Sequence, residues 1–156
     1  MAKKKAPKLP DGVKLIVKNR KARFDYTIVD EVEAGVVLQG TEVKSLRDGK
    51  IQLADAYAMI DNGEAYLHHA HIAEYTNGNI FNHDPIRIRK LLLHRREIDR
   101  LNSKVREKGL TLIPLDVYFK NGRVKINLGL CKGKAHYDKR AAIRERDEKR
   151  DLRGEE

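Results

Sequence analysis

The sequence has a single cysteine, no apolar run of membrane length, and no apolar signal segment behind its basic start. One cysteine, Cys131, can build neither a disulfide framework nor a cysteine-based zinc site within one chain. A chain without a membrane-length run or a signal segment is expected to be soluble and to stay in the cytoplasm. We also expect no membrane contact, because no segment pairs a basic face with an aromatic-rich apolar face.

Motifs of enzyme active sites are missing as well. The chain has no Gly-rich phosphate loop, no serine nucleophile elbow, and no cysteine paired with a histidine in a motif context. His68, His69 and His71 resemble a metal cluster, but on one strand only His69 and His71 would share a face. Two imidazoles are an incomplete ligand set. We therefore expect no enzyme, no cofactor and no metal site, with a metal-dependent nuclease as the remaining enzymatic alternative.

Basic residues outnumber acidic residues by 33 to 23, in a chain whose 156 residues suit one folded domain. Residues 1–24 hold nine bases and one acid, residues 25–84 hold three and eleven, and residues 85–130 hold twelve and four. This distribution predicts one basic face built from the first and third blocks, with an acidic face elsewhere. Such a face suits a polyanion bound in one orientation, and nucleic acid fits best.

The chain begins with residues 1–11, which combine four lysines with two prolines. This composition buries little apolar area and predicts a flexible basic arm, either solubilising or phosphate-seeking. A first strand is predicted over residues 14–18 and ends at Lys18. Three bases then stand beside an aromatic ring with no intervening acid, a mixture that suits phosphate contact and stacking on an unpaired base. These residues are Arg20, Lys21, Arg23 and Phe24.

From Phe24 onward apolar and polar residues alternate, which predicts a half-buried strand leading into residues 33–47. There the strand is expected to turn directly into a short helix, with Gly35 at a bulge, Gly40 at the corner and Thr41 as N-cap. Spacing along the helix turns two apolar residues inward and two basic residues outward. The inward pair is Val43 and Leu46, and the outward pair is Lys44 and Arg47.

Two β-hairpins are predicted further along. Asn62-Gly63 separates the runs 56–60 and 65–72, and Asn121-Gly122 separates a second pair of alternating runs in which Pro114 indicates an edge or a bulge. Residues 86–93 fit either a strand or the entry to a helix, and a basic amphipathic helix follows until Gly109. We predict a mainly β fold with added helices, namely an oligonucleotide-binding-like antiparallel β-barrel of about six strands, with a short corner helix and a longer covering helix.

Residues 12–131 form the predicted RNA-binding domain, and residues 132–156 form a charged tail. The apolar alternation stops after Cys131, and the tail has only Ile143 and Leu152 as branched apolar residues. A lone helix of this length is marginal in water, so we expect the tail to be disordered in isolation. It is either a solvated charged end or a segment that folds against a charged partner.

Seven short blocks stand in order between Asn19 and about residue 150. They are Glu33–Gly35, Gly40–Arg47, Asp84–Pro85 with Arg87, Arg89–Leu93, Tyr118–Asn121, Lys132–Lys134 and Asp138–Arg140. In these blocks the sequence resembles the SsrA-binding protein family, also called small protein B.

The resemblance implies an adaptor for bacterial ribosome rescue. Members of this family bind the tRNA-like domain of transfer-messenger RNA and deliver it, with elongation factor Tu, to stalled ribosomes. The resemblance implies that Glu33, Leu92 and His94 contact the RNA elbow, although relatives often carry Asn in place of His94. Nearby basic side chains would contact the RNA phosphates. The predicted RNA-binding residues are Lys18, Arg20, Lys21, Arg23, Phe24, Glu33, Lys44, Arg47, Arg89, Lys90, Leu92 and His94.

The tail would occupy the vacant decoding site of the small ribosomal subunit and the mRNA path. Its predicted ribosome contacts are Lys132, Lys134, Tyr137, Asp138, Lys139, Arg140, Ile143, Arg144 and Arg146. We expect a monomer. The alternative is a general single-stranded nucleic-acid-binding barrel protein without a ribosome role.

Overall fold

The computed structural model describes residues 12–75 and 82–133. Within these ranges the strands are β1 (Val13–Lys18), β2 (Tyr26–Val36), β3 (Ile51–Gln52), β4 (Tyr57–Asp61), β5 (Glu64–His68), β6 (His71–Ile72), β7 (Arg89–Leu92), β8 (Thr111–Lys120) and β9 (Arg123–Gly133). The helices are α1 (Arg20–Asp25), α2 (Gly40–Arg47) and α3 (Arg95–Lys108).

Seven of these strands form one antiparallel sheet in the order β1-β8-β4-β5-β7-β2-β9. An additional pairing between β8 and β9 brings the sheet back on itself, so six strands form a ring and β1 is attached outside it, on β8. The apolar core lies inside this ring, and Leu67, Leu112, Leu128 and Leu130 are among its buried members. This arrangement confirms the predicted mainly β fold of about six antiparallel strands, and the sheet is ring-like rather than formally the predicted barrel.

Both predicted hairpins are confirmed. Asn62 and Gly63 connect β4 to β5 with φ angles of 51° and 75°, and Asn121 and Gly122 connect β8 to β9 with 51° and 80°. Two successive positive φ angles are the requirement of a type I′ turn. The register of β8 against β9 shifts between Pro114 and Asp116, which confirms a bulge as the solution that accommodates the proline.

The predicted covering helix is α3. Ile98 and Leu101 are buried, and the helix ends at Gly109, whose φ of 62° is left-handed. Residues 89–92, for which both strand and helix fitted the sequence, form β7 between β5 and β2. Because buried Arg89 and Leu91 alternate there with exposed Lys90 and Leu92, this strand presents one face to the core and one to the outside.

Five local predictions are wrong. β2 ends at Val36, so residues 37–39 separate it from α2, where a direct turn at Gly40 was expected. Phe24 lies in α1, because the Asn19 side chain accepts a 3.1 Å hydrogen bond from the N–H of Ala22 and starts a helix where a strand was expected. The N-cap of α2 is Gln39, not Thr41. The register shift of β2 lies between Ile28 and Asp30 rather than at Gly35.

The predicted strand over residues 65–72 is the fifth wrong prediction. It is interrupted at His69, whose φ of 58° separates β5 from β6. The two strands therefore belong to different sheets, and the three histidines do not lie along one strand. Among the described residues, no group of three or more His, Cys, Asp or Glu side chains is placed to hold a metal ion. No helix within the described ranges is both long and apolar enough to cross a membrane.

Candidate nucleic-acid interface

The outer face of β7, β2, β9 and β8 carries two cross-strand rows of polar and exposed residues. In the first row, Leu92 pairs with Gly35, Gly35 with Lys125, and Lys125 with Tyr118. The second row lies beside it on the same face, since strand side chains alternate between faces. Its members, in order across the sheet, are Glu33, Asn127, Asp116 and Lys18. The ring thus brings Lys18, Glu33 and Leu92, three of the predicted RNA contacts, to one face; they are far apart in the sequence.

Glu33 is fixed in this face by two residues of β8. The Tyr118 hydroxyl donates a 2.5 Å hydrogen bond to Glu33 Oε2, and Lys120 Nζ lies 3.3 Å from both carboxylate oxygens. The hydrogen bond from Tyr118, supported by Lys120 and Lys125, lowers the pKa of Glu33. Burial and the neighbouring Glu33 raise the pKa of Tyr118. The result is an oriented carboxylate acceptor whose side chain is still 39% exposed.

Leu92 is 52% exposed, which is high for a large apolar side chain. Its position depends on Gly35 across the strand pair, because a Cβ at Gly35 would lie only 3.2 Å from Leu92 Cβ. His94 follows Leu92 toward the Glu33 end of β2. It is the N-cap of α3, and its N–H donates a 3.3 Å hydrogen bond to Glu97 Oε1. An apolar side chain that could cover an unstacked base and a carboxylate that could accept its hydrogen bonds therefore lie close together on this face.

Some of the basic side chains near α1 form hydrogen bonds or ion pairs with acidic side chains. Arg23 donates a 3.0 Å hydrogen bond to Asp116, while Lys21 lies 3.8 Å from Asp55 with both side chains exposed. Arg20 is exposed and Phe24 is half-buried. A phosphate approaching Arg23 would have to share its guanidinium with Asp116.

The other predicted bases have different surroundings. Lys44 and Arg47 are exposed on α2 as expected, and Lys44 Nζ lies 5.5 Å from the ring centroid of Tyr75. Lys90 is exposed on β7 and forms a 3.1 Å ion pair with Glu64. Lys132 is exposed near the end of β9, where it pairs with Thr27, so the strand continues for two residues into the segment that was predicted to be a disordered tail. The remaining predicted tail contacts, from Lys134 to Arg146, and the N-terminal arm lie outside the described residues.

Arg89 was predicted to contact phosphate, and the structure contradicts this. Its side chain is completely buried, where it forms an ion pair with Glu42 and donates to the carbonyl oxygens of Ala70 at 2.8 Å and Pro85 at 3.1 Å. Burial lowers the pKa of Arg89. Burial would also raise the pKa of Glu42, but hydrogen bonds led by that from Arg87 bring it below its ordinary value. This buried network attaches α2 to β7 and leaves Arg89 no access to a ligand.

The expected separation into a basic and an acidic face is also wrong for the described residues. Acids of the block 25–84 form ion pairs with bases of the block 85–130. These acids are Asp30, Glu33, Glu42 and Glu64. The surface is therefore an interleaved one, in which hydrogen-bond acceptors stand among the cations.

Sequence reasoning missed Tyr118, Lys120 and Lys125 as members of this face. The signal was present, since the apolar alternation of the second hairpin leaves Tyr118 and Lys120 on the opposite face from Val117 and Phe119. What the alternation could not give was the register that brings them next to Glu33.

Comparison with known proteins gives a consistent result. A family model described as SmpB protein matches residues 16–155. The chain is 55% identical to the SsrA-binding protein of Enterococcus faecalis over 92% of this chain and 94% of that protein. It is 57% identical to the SsrA-binding protein of Corynebacterium glutamicum strain R over 97% and 92%. A solved structure described as "tmRNA-SmpB: a journey to the center of the bacterial ribosome" matches with a TM-score of 0.66 and 48% identity, over 82% of this chain and 94% of that one.

Proposed function

Because this chain belongs to the SmpB protein family, we propose that it is an RNA-binding adaptor of trans-translation. It binds the tRNA-like domain of transfer-messenger RNA and brings this RNA to stalled ribosomes. The relatives are named for SsrA binding, and the solved neighbour is described with transfer-messenger RNA and the ribosome. The activity is recognition of RNA rather than catalysis.

The observation that carries the proposal is that Glu33 lies two residues from Gly35, the cross-strand partner of Leu92, on the same outer face. Structured RNA exposes unstacked bases at its loops, where an apolar side chain can cover a base and a carboxylate can accept from base or ribose donors. Cations around the face, including Lys18 and Lys125, would supply phosphate attraction. A face of this composition selects a folded RNA loop over a bare phosphate chain.

Further parts of the proposal concern the ends of the chain and its partners. Residues 132–156 bind the small ribosomal subunit, in the decoding site that transfer-messenger RNA leaves without an anticodon, and their first two residues are the end of β9. Residues 1–11 act as a basic arm. Elongation factor Tu accompanies the complex, and the protein acts as a monomer in the cytoplasm.

The experiment that tests the function is recovery and sequencing of the RNA that copurifies with the chain from its own cells. We expect transfer-messenger RNA to be enriched far above its cellular share. In parallel, binding of the tRNA-like domain is compared with binding of an unstructured RNA of equal length. Equal affinity for the two RNAs, without enrichment of transfer-messenger RNA, would overturn the proposal and leave a general single-strand binder.

A further inference from the structure

The outer face contains two trios of the same composition, each a tyrosine and a lysine that hold one glutamate. Beside the Tyr118–Glu33–Lys120 trio already described, the Tyr66 hydroxyl donates a 2.6 Å hydrogen bond to Glu64 Oε2, and Lys90 Nζ lies 3.1 Å from Glu64 Oε1. The hydrogen bond from Tyr66, followed by that from Lys90, lowers the pKa of Glu64. The second carboxylate is therefore also ionised and oriented, and its side chain is 46% exposed.

The two trios lie on opposite sides of Leu92. On one side, β7 pairs with β2, where Leu92 faces Gly35 and Glu33 is two residues away on the same face. On the other side, β7 pairs with β5, where Leu91 faces Ala65 and both are buried. Continuing this antiparallel register by one residue puts Glu64 directly beside exposed Leu92. Leu92 is thus flanked by two fixed carboxylates.

We propose that Glu64 is a second carboxylate that accepts hydrogen bonds from the RNA, on the opposite side of Leu92 from Glu33. This inference rests on the proposed function. Each ionised carboxylate offers about four acceptor positions, of which Tyr66 and Lys90 use two. The others are open to base amino groups, ring N–H groups or ribose hydroxyls of nucleotides that flank the base on Leu92.

A carboxylate beside a polyanion weakens binding unless it forms bonds that offset the repulsion. The simpler account of Glu64 is an ordinary cross-strand ion pair on a sheet surface, with no role in binding. The two accounts predict opposite signs for E64Q. If Glu64 has no role in binding, E64Q removes a charge that repels the RNA and strengthens binding. If Glu64 accepts hydrogen bonds from the RNA, E64Q weakens binding.

The test measures affinity of the full chain for a transcribed tRNA-like domain of transfer-messenger RNA at several salt concentrations. We expect E64Q to weaken binding about tenfold, the size of one charge-assisted hydrogen bond. The slope of log affinity against log salt concentration, called the salt slope below, stays unchanged, because no phosphate contact is lost. The matched control is D61N, which removes the same charge from an exposed residue paired with Glu64 on β4, one strand further from Leu92. We expect D61N to leave affinity equal or slightly higher.

Y66F gives a second measurement that keeps the charge of Glu64 and removes only its hydrogen bond, so a weaker loss of affinity is expected. Unfolding curves show whether each variant is folded. If E64Q does not fold, the affinity of Y66F decides the test. The inference is overturned if E64Q binds the RNA as tightly as the unmodified chain or more tightly while E33Q still weakens binding. If E64Q does not fold, the same result for Y66F overturns it. Failure of the unmodified chain to prefer the tRNA-like domain overturns the proposed function instead.

Discussion

The hydroxyl of Tyr118 donates a hydrogen bond to Glu33 Oε2, although the two residues lie on β8 and β2 with β9 between them. Asn127 of β9 pairs with Glu33 in register, and Lys125 adds a positive charge nearby. The bond therefore spans a strand and fixes the direction of the carboxylate. Tyr118 is in this sense a positioning residue for the proposed RNA contact.

We predict that Y118F weakens binding of the tRNA-like domain by about 1 kcal/mol, the net value of one hydrogen bond, and leaves the salt slope unchanged. The variant should also raise the pKa of Glu33, because the largest cause of its lowering is removed. An NMR titration of the Glu33 carboxyl group measures this directly. An unaltered Glu33 pKa together with unaltered affinity would contradict the positioning role.

Stability should depend on the buried carboxylate of Glu42. E42Q leaves the guanidinium groups of Arg87 and Arg89 without their anionic partner, a loss that costs about 3–5 kcal/mol for a buried pair. Denaturation with urea measures the free energy of unfolding. The control is E107Q, which neutralises an exposed residue of α3 and should change stability by less than about 0.5 kcal/mol.

The same carboxylate gives a pH dependence with a definite sign. The pKa of Glu42 is lower in the folded state than in the unfolded state, where it is about 4.3. Its contribution to stability is therefore fully present above the unfolded value and is lost as the pH falls through the folded value. We expect this acid-induced loss to be smaller in E42Q than in the unmodified chain. Parallel stability curves for both proteins below pH 5 would contradict it.

The fold was predictable from the sequence where local chemistry is strong. Asn-Gly turns and period-two alternation gave both hairpins, and the spacing of Ile98 and Leu101 with Gly109 gave α3. The failures are equally local in cause. A side-chain cap from Asn19 produced a helix at Phe24, and a positive φ at His69 divided a predicted strand. Neither the Asn19 cap nor the positive φ at His69 could be recognised from the sequence alone, where the apolar alternation was the stronger signal.

The candidate site was only partly predictable, because its geometry comes from strand register and not from residue type. Arg89 and Lys90 are adjacent bases in the same strand, yet one is buried against Glu42 and the other is exposed beside Glu64. The alternation of a strand decides which of these two side chains points into the core. The sequence does not settle this alternation, because residues 86–93 fit both a strand and a helix. Glu64 and Tyr66 gave no separate signal, since their relation to Leu92 needs the β5–β7 pairing.

The bases at the start of α1 give a prediction about phosphate contacts. The double reversal R20E/K21E should lower RNA affinity and reduce the magnitude of the salt slope by about 1.5–2, because two phosphate contacts are lost. R23E is less informative, since it also leaves Asp116 without its guanidinium partner. R106E, at an exposed position in the last turn of α3, is the comparison variant. A slope that R20E/K21E leaves unchanged would show that these side chains do not contact phosphate.

The division of labour between the ring and the tail is tested by ending the chain after Lys134, just beyond the end of β9 at Gly133. Every residue of the outer face remains, so affinity for the tRNA-like domain should stay within about twofold, less than the value of one hydrogen bond. Peptide tagging on stalled ribosomes should be abolished, because the truncated chain cannot fill the decoding site. Alanine replacement of Asp138–Arg140 in the full chain is a milder variant that should reduce tagging at unchanged RNA affinity. Simultaneous loss of RNA binding and tagging would instead mean that the tail belongs to the RNA-binding surface.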